Sequence, residues 1–269
     1  TTGPFSAIRV LEREGDQLWI PFSDRYTALY DVERRLLKSS YGEQIIFEER
    51  NKCLGLTFRY RWQFSRSYGF LRSAELWNKG DRTVSLEILD GLRNLLPAGV
   101  DRSTQERAST LVDAYKLSDL SGETGLGLFS MSSIITDRAE PSEALEAPTV
   151  WHHGFPDPEV LLSEEQVEGF LRRGEPPVSE ETIRGRRGAY FAFAGVELRA
   201  GKAHSWKLVV DTASDTASVT NLEDDLRTRG AGELIREVQK EVSEGREELI
   251  SLVARADGLQ STADEPVSH

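Results

Sequence analysis

Hydrophobic and polar positions alternate along most of residues 1–211, and the alternation predicts strands. The clearest run is Thr57–Ser65, where Phe58, Tyr60, Trp62 and Phe64 share one face and Arg59, Arg61 and Gln63 share the other. Such a run builds a sheet with one aromatic core face and one wet face. Its functional alternative is an aromatic platform on which sugars stack. Phe70–Leu76 predicts the next strand, closed by the turn signal Asn78-Lys79-Gly80-Asp81. Then comes Val84–Gly99, with Val84, Leu86 and Ile88 on one face and Ser85 and Glu87 on the other. A break is expected at Asp90-Gly91, followed by packing of Leu92, Leu95 and Leu96 and a stop at Pro97. Residues 57–90 thus read as three successive antiparallel strands.

Shorter strands are expected at Leu18–Phe22, Gln44–Glu48, Thr110–Leu117, Gly125–Thr136, Tyr190–Leu198 and His204–Val210. Residues 138–162, punctuated by Pro141, Pro148, Pro156 and Pro158, predict a long irregular connection. A short helix follows, capped by Ser163 with Gln166 three residues on, and ended by Gly174. From Asn221, read as an N-cap, the period changes to three or four. Leu234, Ile235, Val238, Val242, Leu249, Val253 and Ala256 form one apolar stripe about 37 Å long at the α-helical rise. The expected organisation is a mainly β domain of antiparallel strands over 1–220, a sandwich or barrel. A helical linker over 221–257 and a disordered tail over 258–269 follow. That stripe must be covered by the sandwich, by another copy, or by a further domain.

The formal net charge of −12 is unevenly spread. Residues 1–100 carry 15 basic and 13 acidic groups, residues 138–185 carry 4 and 11, and residues 221–269 carry 6 and 12. The acidity marks solvated surface in the connection and the C-terminal part, and argues against nucleic acid as a partner. Cys53 is the one cysteine, so an internal disulfide and a cysteine metal site are excluded, and a reducing, cytoplasmic setting is expected. No apolar run approaches the ~20 residues of a membrane span, and no secretory signal pattern is present, so no membrane partner is expected. The chain opens on Thr1 rather than Met, which together with the trailing helices leads us to expect a piece of a longer protein.

No complete catalytic constellation is visible, and no metal or cofactor is expected. Asp90, Arg93 and Asn94 place a carboxylate, a guanidinium and an amide among leucines, where polar groups need partners. They mark a structural keystone, a ligand floor, or both. Trp151, His152 and His153 sit within the irregular connection and could lie over a ligand as a loop. Adjacent histidines on an extended chain point opposite ways, so they do not make a metal site. Gly125-x-Gly127 lacks the helix that a phosphate loop needs. The basic run Arg184-Gly185-Arg186-Arg187-Gly188 either holds an anion or pairs with Glu180 and Glu181. A sugar epimerase would need a His acid beside a carboxylate base, and His204 with Glu197 is the arrangement to look for, since His269 lies in the tail.

The run Leu86–Pro97 (L-E-I-L-D-G-L-R-N-L-L-P), with the strand Phe70–Asn78 before it, resembles the N-terminal β-domain of cellobiose-phosphorylase-like proteins, once grouped as glycosyltransferase family 36. L-V-D-A-Y-K (Leu111–Lys116), I-T-D-R-A-E-P (Ile135–Pro141) and the order of parts are similar to that wider group, over roughly 58–256. The resemblance implies a galactose-mutarotase-like supersandwich followed by linker helices. It also implies a downstream (α/α)6 barrel domain that carries the catalytic groups and is outside this chain, so no catalytic residue carries over. Carbohydrate is the implied partner, and scaffolding and subunit contact are the implied roles. Two other readings stand beside it. One is a free-standing epimerase on the same fold. The other is an interaction module that forms a homodimer on the 231–256 helix.

Overall fold

The computed structural model describes residues 2–13, 15–24, 29–133 and 146–255. In chain order they form β1 (Gly3–Leu11), β2 (Gln17–Trp19), β3 (Val32–Lys38), β4 (Ile45–Asn51), β5 (Leu56–Ser65), β6 (Gly69–Asn78), β7 (Val84–Leu95), α1 (Arg102–Arg107) and α2 (Ser109–Tyr115). Then come β8 (Lys116–Ser121), β9 (Leu126–Met131), β10 (Glu146–His153), β11 (Glu159–Leu161), α3 (Val167–Arg173), β12 (Thr182–Arg184), β13 (Gly188–Leu198), β14 (Ala203–Asp215), α4 (Thr216–Thr228) and α5 (Ala231–Arg255). The strands make two antiparallel sheets, so the mainly β sandwich with C-terminal helices is what the chain builds. The smaller sheet has the order β11-β13-β7-β1-β2, and the larger has β12-β8-β9-β10-β14-β6-β5-β4-β3.

Period-2 alternation decides what each face buries. On β7, Leu86 and Ile88 join Ile8, Phe58, Leu76 and Trp206 between the sheets, while Leu89 packs outward with Phe170, Phe191 and Phe193 under α3. Helices α4 and α5 cover part of the outer face of the larger sheet. Leu226, Leu234, Ile235 and Val238 are buried there against Leu71, Trp151 and Val209. The first half of the predicted stripe is therefore covered by the sandwich. Ala256 and the tail lie outside the described residues, as does Ile135–Pro141.

Several expectations are corrected. The organising strand does not break at Asp90-Gly91. β7 runs on to Leu95, and Gly91 is needed because β13 crosses it so closely that a Cβ would stand 1.9 Å from the Tyr190 carbonyl oxygen. Gly91→Ala is expected to cost about 1–3 kcal/mol by overpacking, read from urea unfolding; an unchanged midpoint would contradict that close approach. Nor do β5, β6 and β7 form one meander. β5 pairs with β6, but β7 pairs with β1 and β13 in the other sheet. Asn78 organises that crossover: its amide nitrogen donates to the carbonyls of Arg82 (2.7 Å) and Leu198 (2.9 Å), and its Oδ1 accepts from Gly80 N–H.

Thr110–Leu117 is helical up to Tyr115, because Lys116 Nζ reaches back to Gln105 Oε1 (2.6 Å) and Asp113 Oδ1 (2.8 Å) and ties both short helices to the start of β8. The expected irregular connection holds an eight-residue strand, β10, inside the larger sheet between β9 and β14. Its two faces are both covered, which removes the simple alternation. Asn221 lies inside α4; the cap is Asp215, whose Oδ1 accepts from Ser218 N–H at 2.8 Å. Ser163 binds Glu180 instead of capping α3, although that helix ends on Gly174 at φ 67° as expected.

Candidate aromatic cleft

Where the larger sheet extends beyond the smaller one, its inner face is left open. Register places Leu36, Phe47, Tyr60 and Ala74 in one row across β3, β4, β5 and β6, with Ile45 and Trp62 in the next and Phe64 with Phe70 beyond. Phe58 and Tyr60 sink into the core, whereas Phe64 is 58% and Phe70 44% exposed. One run of alternating aromatics is thus core at one end and open surface at the other.

The open end forms a cavity of about 410 Å³ lined by Pro4, Ile45, Phe47, Tyr60, Trp62, Phe70 and Val210. The rings lock one another. Phe47 stacks on Tyr60 with centroids 4.8 Å apart, and Trp62 meets Phe70 edge-on at 6.4 Å. A second cavity of similar size adjoins it across Pro4 and Tyr60 and adds polar groups, including Ser6, Ser23, Arg93 and Glu168. The two together offer ring faces and hydrogen-bonding groups side by side, the usual make-up of a small-ligand site.

Beneath Tyr60 lies a buried ion pair. Arg72 and Asp90 are both fully buried and bonded in a bidentate pair. Asp90 also accepts from Ser6 Oγ (2.5 Å) and Trp206 Nε1 (2.6 Å). The Arg72 guanidinium carbon sits 4.4 Å from the Tyr60 ring centre, so the pair fixes the floor ring by a cation–π contact. Burial pushes the Tyr60 hydroxyl above its ordinary range, Arg72 opposes this and Asp90 adds to it, so that hydroxyl stays protonated.

The residues singled out in the sequence do not converge. Asp90 supports the cleft from below without reaching solvent. Arg93 lines the second cavity, with its guanidinium 3.7 Å from the Phe5 ring centre and 3.0 Å from Glu164. Asn94, at φ 50°, is the penultimate residue of β7 and donates to Thr2 Oγ1. Trp151 is buried under α4 and α5 rather than laid over a ligand, because β10 is an inner strand of its sheet.

His152 points between the sheets, and its Nδ1 is 2.6 Å from the Tyr190 hydroxyl, which donates to the Gly125 carbonyl. That hydroxyl has one proton, so Nδ1 is the donor and Nε2 carries the lone pair. His153 faces outward against α5. His204 stacks on Trp206 at 5.7 Å and forms no hydrogen bond or ion pair with Glu197, so the epimerase arrangement is not assembled. Arg186 pairs with Glu165, and Arg187 with Asp113 (3.3 Å), rather than with Glu180 and Glu181. Phe47, Phe70 and Pro4 were not flagged in the sequence; the platform reading of Thr57–Ser65 was the signal nearest to them. A larger cavity of about 530 Å³ lies between Phe64 and the distal half of α5, but its charges are already engaged: Glu241 accepts from Ser67, Arg66 meets Glu248, and Arg246 meets Glu43.

No family model and no curated protein matches the chain. Solved structures do. A putative kojibiose phosphorylase from the human microbiome matches 91% of this chain and 27% of its own, at 8% identity and TM-score 0.48. A polysaccharide lyase matches 79% and 26%, at 10% identity and TM-score 0.43. A galactose mutarotase-like protein from Lactobacillus casei matches 66% and 72%, at 12% identity and TM-score 0.33. The chain spans about a quarter of the length of the first two. These neighbours are carbohydrate-processing and mutarotase-like proteins; the likeness concerns the fold, and no residue role passes through it.

Proposed function

We propose that this chain is a carbohydrate-associated sandwich domain whose aromatic cleft holds sugar rings, and that it serves a larger glycan-active protein without supplying catalytic groups itself. The observation that carries the reading is the row of fixed rings, Phe47, Tyr60, Trp62 and Phe70, at an opening with polar groups alongside. Sugar rings present C–H faces to aromatic planes and hydroxyls to their edges, and this cleft offers both kinds of partner. Tyr60 to Phe64 spans about 13 Å along β5, enough for more than one ring in a row. The cellobiose-phosphorylase-like resemblance supports a downstream barrel domain as the catalytic partner, with the sandwich as scaffold. The distal half of α5, where Leu252 is 58% exposed, is the surface offered to such a domain or to a second copy.

Calorimetric titration with neutral gluco-oligosaccharides tests the cleft. Trp62→Ala is expected to weaken binding at least tenfold, with the unfolding transition recorded alongside to show that the variant, which loses packing against two core clusters, is still folded at the titration temperature. Equal affinity in the variant would remove the cleft from the proposal.

A further inference from the structure

We propose a second site, on the opposite face of the larger sheet, that binds a small oxyanion of the phosphate class between Arg61 and Lys207, over Ser73, with Arg236 adding positive charge at the His153 end of the row. The strand register makes the case. Arg61 on β5 stands opposite Ser73 on β6, Ser73 opposite Lys207 on β14, and Lys207 opposite His153 on β10. All four face outward, since their neighbours Tyr60, Arg72, Leu208 and His152 face the space between the sheets. Strands are spaced about 4.8 Å apart, so this row brings together side chains far apart in the sequence. Helix α5 borders the row at its His153 end: a Cβ added to Gly232 would stand 3.1 Å from His153 Cε1, and Arg236 follows one turn later.

Three features mark the row as a site. First, it concentrates positive charge without neutralising it. Arg61, Lys207 and Arg236 form no salt bridge among the described residues, in contrast to Arg59, which Glu48 holds at 2.9 Å, and Arg34, which Glu49 holds at 2.6 Å. Glu75 is the carboxylate whose charge favours the protonated Lys207. Second, the cations act on one another. Burial and then Arg61 hold the Lys207 ammonium below its ordinary range, and burial, Lys207 and Arg236 do the same to His153. Third, Ser73 lies at the base of the row only 6% exposed, and its hydroxyl has no hydrogen-bond partner. A buried hydroxyl without a partner is uncommon, and Arg61 and Lys207 flank it from the two adjacent strands as like charges that repel each other. An oxyanion bridging Arg61 and Lys207, with Ser73 donating from below as the stems part, resolves both.

The test is titration of the full 269-residue chain with inorganic phosphate at constant ionic strength, in parallel with sodium chloride, by calorimetry and thermal unfolding. Saturable phosphate binding is expected, with sulfate competing for it. Arg61→Gln and Lys207→Gln are each expected to weaken it about tenfold or more, and Ser73→Ala less. Without phosphate, Lys207→Gln is expected to melt at the same temperature or higher, since it relieves repulsion; this shows that loss of binding is not loss of folding. No saturable phosphate binding by the folded chain overturns the proposal, as does binding that Arg61→Gln and Lys207→Gln leave unchanged. The glycan titration of the opposite face is independent of either result.

Discussion

Asp90→Ala is expected to lower the unfolding free energy by about 3–5 kcal/mol, the cost of breaking a buried ion pair by removing one partner. The carboxylate satisfies the Arg72 guanidinium, the Ser6 hydroxyl and the Trp206 indole, and neither Asp90 nor Arg72 has any solvent exposure. Without it, Arg72 keeps its charge in an apolar space with nothing to balance it. Asp90→Asn keeps the shape but not the charge and falls between. The double variant Arg72→Met with Asp90→Leu is expected to recover much of the loss, because no charge is then buried. Urea unfolding of the four proteins reads this directly. A loss below about 1 kcal/mol for Asp90→Ala would place the pair in a wetter setting than the fold describes. The pair matters to the cleft as well as to stability, since Arg72 fixes the Tyr60 ring that both cavities share.

The second large effect is acid sensitivity set by His152. Burial, with a smaller contribution from His153, pushes this imidazole down to about 4 from an ordinary value near 6.5. Above pH 6.5 the folded and unfolded chains carry the same neutral ring, and His152 contributes no pH dependence. Between pH 6.5 and 4 the unfolded chain takes up a proton that the folded chain refuses, so stability falls as the pH falls. The full difference of about 2.5 pH units corresponds to roughly 3 kcal/mol by the pH 4 end. His152→Gln removes that proton from the balance. Its unfolding free energy is expected to be lower near pH 7, through loss of the bond to Tyr190, and to fall less steeply between pH 6.5 and 4. Parallel slopes for the two proteins would show that His152 titrates normally in the fold.

The alternation in the sequence carried the faces of the strands but not their neighbours. Val84, Leu86 and Ile88 do share the buried face of β7, yet nothing in that pattern says that β7 leaves β6 for the other sheet, a choice held by the Asn78 side chain. Thr110–Leu117 mixes apolar and polar residues in a way that fits either period over so short a run, and contacts from Lys116 decide for helix. His152 and Trp151 both face covered space, so β10 lacks the wet face that would have marked it as a strand.

Asp90 was legible as a polar group needing partners, but Arg72 was not legible as the partner, since it sits in an ordinary strand 18 residues earlier. The cleft was half legible: Tyr60 and Trp62 lie in the alternating run, whereas Phe47 and Phe70 arrive from the flanking strands. The basic row was not legible at all. Arg61, Lys207 and His153 meet only through register across four strands, while the basic run that does stand out, around Arg184–Arg187, is engaged by Glu165 and Asp113.

We propose that the open aromatic end of the larger sheet is a sugar site. Its most direct test is a crystal structure of the chain soaked with a neutral gluco-oligosaccharide, with a difference map over the cleft. Sugar rings are expected to lie parallel to the indole of Trp62 and the rings of Phe47 and Tyr60, with hydroxyls turned toward the cavity that holds Arg93 and Glu168. An empty cleft with the sugar bound elsewhere, or a cleft filled by a second copy that also pairs with it in solution, would contradict it.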